Sequence, residues 1–332
     1  MSPDPIPTPP SSSTPLDPSS PSHPAPATNP PGIADALPRS RARRPLRFII
    51  AIALLAAAVF AVSTHAADAP RALRAGVIAS PWLAAAAILL PAVNWLIMSV
   101  SLWSLINRYG RVPLREMICL VGAGWLLNYL PMRPGLLGRV AYHKTVHGVA
   151  IRDSIRVSVW SIGCAAAAIA ALAPACLLAA RLGDPTTQLL SIAAPLVLLA
   201  AVAITLPRPG PRLILFNIVL RYLDLLTWTC RYMVVFALID HPISWPGAGA
   251  LACIIQIPML IPLVGNGLGL REWTVGAMSG VLPESMPASG GTLTTPLGLA
   301  ADLLNRFAEV CCAVPVGLVC SFFLSKRKPM PR

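Results

Sequence analysis

The sequence predicts an all-α polytopic membrane protein, with about six full spans and two opposed re-entrant elements built from broken helices. Three observations carry that fold class. Hydrophobic residues make up 55% of the 332 and charged residues only 12%, too little charge to cover a water-facing surface. The mean hydropathy is +0.68, and because 13 of the 36 prolines crowd into residues 1–38, the rest of the chain is more apolar than that average. Long apolar runs then recur from residue 48 onward, and two of them are interrupted by proline and glycine.

Taken in order, residues 1–38 are Pro, Ser, Thr and Ala with almost nothing apolar to bury. They cannot offset the entropy of ordering and read as a disordered cytoplasmic tail. Arg39, Arg41, Arg43, Arg44 and Arg47 lead into the apolar run Phe48 to Val62, completed by weakly polar residues as far as Ala66. We read it as an uncleaved anchor; the competing reading is a secretory signal, since Thr64, His65 and Ala66 end in a small residue that could precede a cleavage. Val77 to Ile106 can cross with tilt, with Pro81 near its start and Pro91 placed to kink it. Met117 to Leu130 is too short to cross a core of about 30 Å and stops at the string NYLPMRPGLLGR, which points to a re-entrant segment. Its return limb is 136–147, ending among His143, Lys144 and His147.

Ser154 to Ala180, Gln188 to Leu206 and Leu213 to Ile239 are each long enough to span. After HPISWPG, the block from Ala248 to Val264 breaks at IPLVGNGLGLREW, and a weaker limb runs to Leu282. Leu297 to Leu324 is the last span, so the membrane domain covers 39–324 and a basic cytoplasmic tail occupies 325–332.

The net charge of +13 could signal nucleic-acid binding in a soluble protein. Here the basic residues sit in short stretches between apolar runs, where they orient helices, and no nucleic-acid partner is implied. If both interrupted segments return to the side they entered, nineteen Lys and Arg fall in cytoplasmic stretches and three, Arg71, Arg74 and Arg181, in outer turns. The positive-inside rule asks for that asymmetry. It predicts a multi-pass protein of the inner (cytoplasmic) membrane with both termini cytoplasmic.

The two breaks share a chemistry. The first reads Pro131, Gly135, Arg139; the second reads Pro262, Gly265, Gly267, Gly269, Arg271, Glu272. One enters from the cytoplasm and the other from outside, as in an inverted repeat. A helix broken at mid-membrane exposes free N–H groups and the positive end of its dipole, where an anionic group can be held. Glycine lets that group approach the backbone, and proline fixes where the helix stops. Short connecting loops are the plainer alternative for either break alone.

The string Pro-x-Arg-x-Gly-x-x-x-Arg over 131–139, the string Gly-x-Gly-Leu-Gly-x-Arg-Glu over 265–272 and a final span bearing an arginine resemble the lysylphosphatidylglycerol synthase transmembrane region, a flippase-like family. The resemblance covers roughly 47–324, and the second string is its more specific part. It implies a lipid-translocating membrane domain. Family members usually carry glutamate after the glycine of the first motif, where this chain has Leu136; Glu272 of the second motif is retained. The aminoacyltransferase activity of bifunctional members belongs to a separate soluble domain, which neither the tail after Leu324 nor residues 1–38 would supply.

Charges inside the spans complete the candidate site. Arg221, Asp224 and Arg231 share a helical face at spacings of three and seven, so Asp224 can neutralise a neighbour. Asp302, Arg306 and Glu309 repeat that logic at spacings of four and three. An ion near the bilayer centre costs on the order of 2.5–3.5 kcal/mol, so these must be paired and face the bundle or water. The expected substrate-binding or translocation residues are Arg133, Gly135, Arg139, Gly267, Gly269, Arg271, Glu272, Asp302, Arg306, Glu309, Arg221 and Asp224. Ion pairs that merely hold helices together are the structural alternative.

Other chemistries find little support. The eight cysteines lie in or beside apolar runs and, apart from adjacent Cys311 and Cys312, have no metal or redox spacing. His143 and His147 have the i,i+4 spacing of metal ligands but no third ligand near in sequence. No Ser-His-Asp or Cys-His order and no phosphate-cradling loop is present, so no cofactor, metal or catalytic residue is expected. The leading expectation is a translocase of an anionic lipid or lipid-linked headgroup, with membrane lipids as partners. The alternatives are a small-solute or ion-coupled transporter, a membrane-embedded enzyme drawing on Glu272, Glu309 and Asp224, and a non-transporting partner of a lipid-modifying enzyme.

Overall fold

The computed structural model describes residues 56, 60, 69–129, 134–182, 184–260, 267, 269–281 and 293–326. The expected N-terminal tail, the first span at 48–66 apart from residues 56 and 60, Arg133, Pro131, Pro262, Gly265 and the residues after 326 lie outside them. Most of the described residues are helical, with no strand among them. In chain order the helices are α1 (Ala69–Ala79), α2 (Pro81–Ile106), α3 (Leu114–Leu127), α4 (Pro134–His147), α5 (Ile151–Ala179) and α6 (Pro185–Thr205). There follow α7 (Pro209–Leu238), α8 (Trp245–Ile254), α9 (Gln256–Leu260), α10 (Leu270–Ser279) and α11 (Thr295–Ser325).

Five of these, α2, α5, α6, α7 and α11, are long and apolar enough to cross a membrane. Proline at the first or second position starts four of them without loss of a hydrogen bond, because the leading N–H groups of a helix have no partner in any case. Val77 to Ile106 is not one element, as expected, but two: α1 ends at Ala79, and Pro81 opens α2. A helix tends to stop just before proline, whose ring disfavours helical backbone at the preceding residue. Pro91, the expected kink, lies inside α2 without ending it.

Burial is distributed as lipid solvent demands. Arg271, Glu272 and Asp302 have no exposed surface, while Leu198, Ile204, Phe307 and Phe323 are each more than 60% exposed. A water-soluble protein rarely shows so much contiguous apolar surface; hydrocarbon removes the penalty for exposing it and imposes one on charge. The helices suggest insertion into a membrane by their length, composition and this inside-out polarity.

The two interrupted segments are helical hairpins. In the first, α3 and α4 run antiparallel: Glu116 Oε2 at the start of α3 lies 3.0 Å from His147 Nε2 at the end of α4. Gly135 sets their spacing, because a Cβ there would collide with the carbonyl oxygen of Gly124. The second hairpin is formed by α8 and α9 against α10, where Leu251, Ala252, Ile255 and Val275 share a buried core with Tyr232 and Phe236 of α7 and Leu297 and Ala301 of α11.

Both hairpins lie along α11, from its opposite ends. Gly317 meets Leu126 of α3 and Gly122 of α3 faces Cys320, toward the end of α11; Gly276 of α10 meets Leu299, and Gly298 meets Ser279, toward its start. Short turns and antiparallel contacts, such as Ser101 of α2 donating to Asn217 of α7 at 2.8 Å, fix which helix ends lie together. One end of the bundle carries Arg108, Arg111, Arg115, Lys144, Arg152, Arg156, Arg208, Arg212 and Lys326; the other carries Arg71, Arg74 and Arg181. The charge asymmetry expected from sequence is therefore present in three dimensions among the described residues.

Candidate functional site

The two hairpins meet tip to tip at Glu309, near the middle of α11. At about 1.5 Å per residue, that places its carboxylate roughly 20–25 Å along the helix from either end, far from both aqueous faces. From the first hairpin, Tyr129 donates its hydroxyl to Glu309 Oε1 at 2.9 Å and Trp125 its indole N–H at 3.3 Å. From the second, Arg271 donates to Oε2 at 3.0 Å. Arg231 of α7 donates to the same oxygen, also at 3.0 Å.

Arg271 owes its position to the break before it. Gly267 and Gly269 have φ of 71° and 80°, in the left-handed region where a Cβ is strained, and Gly269 caps α10. The chain can therefore turn sharply and start a helix with Arg271 and Glu272 in its first turn. Arg271 faces Asp302, with Nε 3.1 Å and 3.0 Å from Oδ1 and Oδ2 and an Nη 2.9 Å from Oδ1. Tyr232 adds a hydroxyl donor to Oδ1 at 2.9 Å. Trp228 presents its ring to both arginines, with guanidinium carbons 3.7 Å (Arg231) and 4.9 Å (Arg271) from its centroid.

Arg306 and Glu272 form the neighbouring pair, Nε to Oε1 at 2.9 Å. The guanidinium of Arg306 lies 5.9 Å over the ring of Tyr129. A third pair extends the network along α7: Arg221 donates to Asp224 Oδ2 at 3.2 Å, Asn94 of α2 donates to Asp224 Oδ1 at 2.7 Å, and Arg231 donates to Asn94 Oδ1 at 3.3 Å. Asn305 Oδ1 accepts from Arg231 at 3.0 and 2.8 Å. Polar contacts thus run continuously from Arg221 to Asp302, and four arginines balance four carboxylates.

Most of the expected residues are brought together: Gly267, Gly269, Arg271, Glu272, Asp302, Arg306, Glu309, Arg221 and Asp224 form or support this cluster. The pairing within α11 differs from the expected i,i+3 and i,i+4 arrangement, since Asp302 and Arg306 bond to α10 and Glu309 to α7 and α10. Long arginines on neighbouring helices reach these carboxylates with better geometry than a neighbour on the same helix offers. Arg139 stands apart, its guanidinium 3.5 Å from Ser158 of α5. Gly135 acts in the hairpin contact, and Leu136 is exposed on the outer side of α4.

Sequence reasoning underweighted the neutral partners Asn94, Asn305, Tyr129, Trp125, Trp228 and Tyr232. An asparagine inside an apolar span, as at Asn94, was the available signal, because an amide in hydrocarbon needs a partner. Among the described residues no group of three His, Cys, Asp or Glu is arranged to hold a metal ion. No family model, curated protein or solved structure matches this chain.

Proposed function

We propose that this chain is a translocase for the anionic headgroup of a lipid or lipid-linked molecule, working in the cytoplasmic membrane with the arginine-rich end and both termini inside. The observation that carries the reading is the meeting of two hairpin tips and two long helices, α7 and α11, at a fully buried, charge-balanced cluster half-way along α11. Structural ion pairs alone do not call for such a concentration, because replacing buried pairs by apolar side chains is often neutral or stabilising.

Arginine binds carboxylate and phosphodiester oxygens with the same planar set of donors. Asp302, Glu309 and Glu272 therefore occupy the positions an incoming anionic headgroup would take, and they give up arginine donors to it as it enters. The hairpins, approaching from opposite ends, act as the two halves of an inverted repeat; withdrawing one tip exposes the arginines to one side. The apolar periphery leaves acyl chains in the bilayer while the headgroup moves. The resemblance to the lysylphosphatidylglycerol synthase transmembrane region agrees with this function.

Reconstitution tests it directly. Purified protein in liposomes containing labelled anionic, zwitterionic or isoprenoid-linked lipids is expected to speed leaflet exchange of an anionic species above that of protein-free vesicles. Exchange no faster than the protein-free control for every lipid would overturn the proposal.

A further inference from the structure

We infer that Glu272 is a proton-binding site, and that entry of an anionic headgroup is coupled to uptake of a proton there; this deepens and rests on the translocase reading. The four acids of the network are not equivalent. Asp302 is engaged through both oxygens by Arg271 and through Oδ1 by Tyr232; Glu309 accepts donors on both oxygens; Asp224 accepts from Asn94 on one and Arg221 on the other. Glu272 accepts from Arg306 on Oε1, and its Oε2 is fully buried with no hydrogen-bond partner. A bare carboxylate oxygen in a site closed to solvent is where a proton costs least and gains most.

Charge balance gives the proton its role. Among the described residues, Arg231, Arg271 and Arg306 are offset by Glu272, Asp302 and Glu309, so these six groups together are neutral. A phosphodiester entering it brings an uncompensated negative charge into low dielectric. Protonating Asp302 or Glu309 would restore neutrality but disrupt several good hydrogen bonds at once. Protonating Glu272 on Oε2 removes the excess charge, loosens its hold on Arg306, and turns the bare acceptor into a donor facing the incoming phosphate. When the headgroup leaves, the proton leaves and Glu272 recaptures Arg306.

The surroundings are consistent with a single responsive group. Arg306 of α11 bonds Glu272 directly, Arg271 precedes it on α10, and Asp302 and Glu309 of α11 are bound to Arg271; α9 has no titratable side chain, and Cys253 of α8 packs elsewhere, against Cys176 and Tyr222. Arg231 and Tyr232 of α7 and Tyr129 beyond α3 complete the shell through Asp302, Glu309 and Arg306.

The test uses full-length protein in phosphatidylcholine vesicles, with a short-chain labelled phosphatidylglycerol as the probe. Two signals are read together: probe exchange with luminal pH, and the infrared carbonyl stretch of a protonated carboxyl on adding the probe. The wild type is expected to show exchange accompanied by proton movement, and a probe-induced protonated-carboxyl band. Glu272→Gln is expected to lose that band and the proton movement; because its amide cannot regain a negative charge when the headgroup is due to leave, it holds the probe and exchange stalls. Probe exchange without proton movement overturns this inference and leaves the translocase reading standing. A probe-dependent band in Glu272→Gln equal to wild type also overturns it. A band in the wild type with no exchange of any lipid keeps the proton site and overturns translocation, whereas neither signal overturns both. Should Glu272→Gln fail to fold, the wild-type band and proton signal still decide, with Glu272→Asp expected to move the frequency of the band.

Discussion

Glu309 divides its carboxylate between the two hairpins: Oε1 accepts from Tyr129 at 2.9 Å, and Oε2 accepts from Arg271 at 3.0 Å. A single side chain half-way along α11 therefore reports on both hairpin tips. Arg231 shares Oε2, so two guanidinium groups depend on one oxygen.

Glu309→Gln keeps the size of the side chain and removes its charge, leaving Arg231 and Arg271 to share fewer anions. Loss of one partner from a buried pair costs about 3–5 kcal/mol, and the amide nitrogen cannot accept from either hairpin. The expected result is a large drop in unfolding midpoint in detergent. Arg231→Met combined with Glu309→Gln should lose less than the sum of the two single changes. Strict additivity would show that the two groups are not coupled.

The hairpin contact makes a prediction with an internal control. Gly135→Ala forces a Cβ toward the Gly124 carbonyl and is expected to destabilise by about 1–3 kcal/mol as the helices are pushed apart. Gly138, on the same helix, has open space at its Cβ, so Gly138→Ala should be neutral or stabilising by about 0.5–1 kcal/mol. Equal effects at the two positions would show that the α3–α4 spacing is not set by glycine.

Arg306 pairs with Glu272 rather than with Glu309, which decides which double replacement is balanced. Arg306→Leu with Glu272→Leu removes a neutral pair and should retain more stability than either single change. Arg306→Leu with Glu309→Leu should be the more damaging double, because Glu272 loses its cation while Arg231 and Arg271 lose an anion. Thermal unfolding of the matched set checks the order.

Segment lengths and the positions of Pro, Gly and Arg make most of this fold legible. The run Met117 to Leu130 is too short to cross, and α3 with α4 does turn back so that Glu116 meets His147. What sequence spacing could not give is partner choice inside the bundle. Asp302, Arg306 and Glu309 share a face, yet their countercharges come from α7 and α10, over distances in sequence that no periodicity encodes. Arg139 carries the same charge as Arg271 and follows a similar Gly and Pro signal, but α4 directs it toward α5. Pro81 marks the break at Ser80, but the apolar residues 77–79 before it and 82–90 after it read as one span.

His143, on the short helix α4, carries a pH prediction. Burial, with the nearby charges of Arg139 and His147 adding to it, lowers its pKa to about 4. The folded protein thus holds it neutral while the unfolded chain, titrating near 6.5, binds a proton first. Between those values the unfolded state carries more protons, so stability falls as pH drops from about 6.5 toward 4. His143→Gln should flatten that part of the profile of unfolding midpoint against pH; an unchanged slope would place the pH dependence elsewhere.

The last prediction concerns which end of the bundle faces the cytoplasm. Among the described residues, nine basic side chains lie at the end shared by the start of α3, the end of α4 and the end of α11, and three lie at the other. Positive charge resists transfer across the membrane during insertion, so the richer end is expected inside. Single cysteines placed at Lys144, Arg152 and Arg212, in a background lacking the native cysteines, should react with a membrane-impermeant maleimide only after permeabilisation. Cysteines at Arg74 and Arg181 should react in intact cells. Because Lys144 and Arg115 flank the Glu116–His147 contact, they must label from one side; opposite-side labelling of that pair would mean that α3 and α4 together cross the membrane and that the hairpin geometry is wrong.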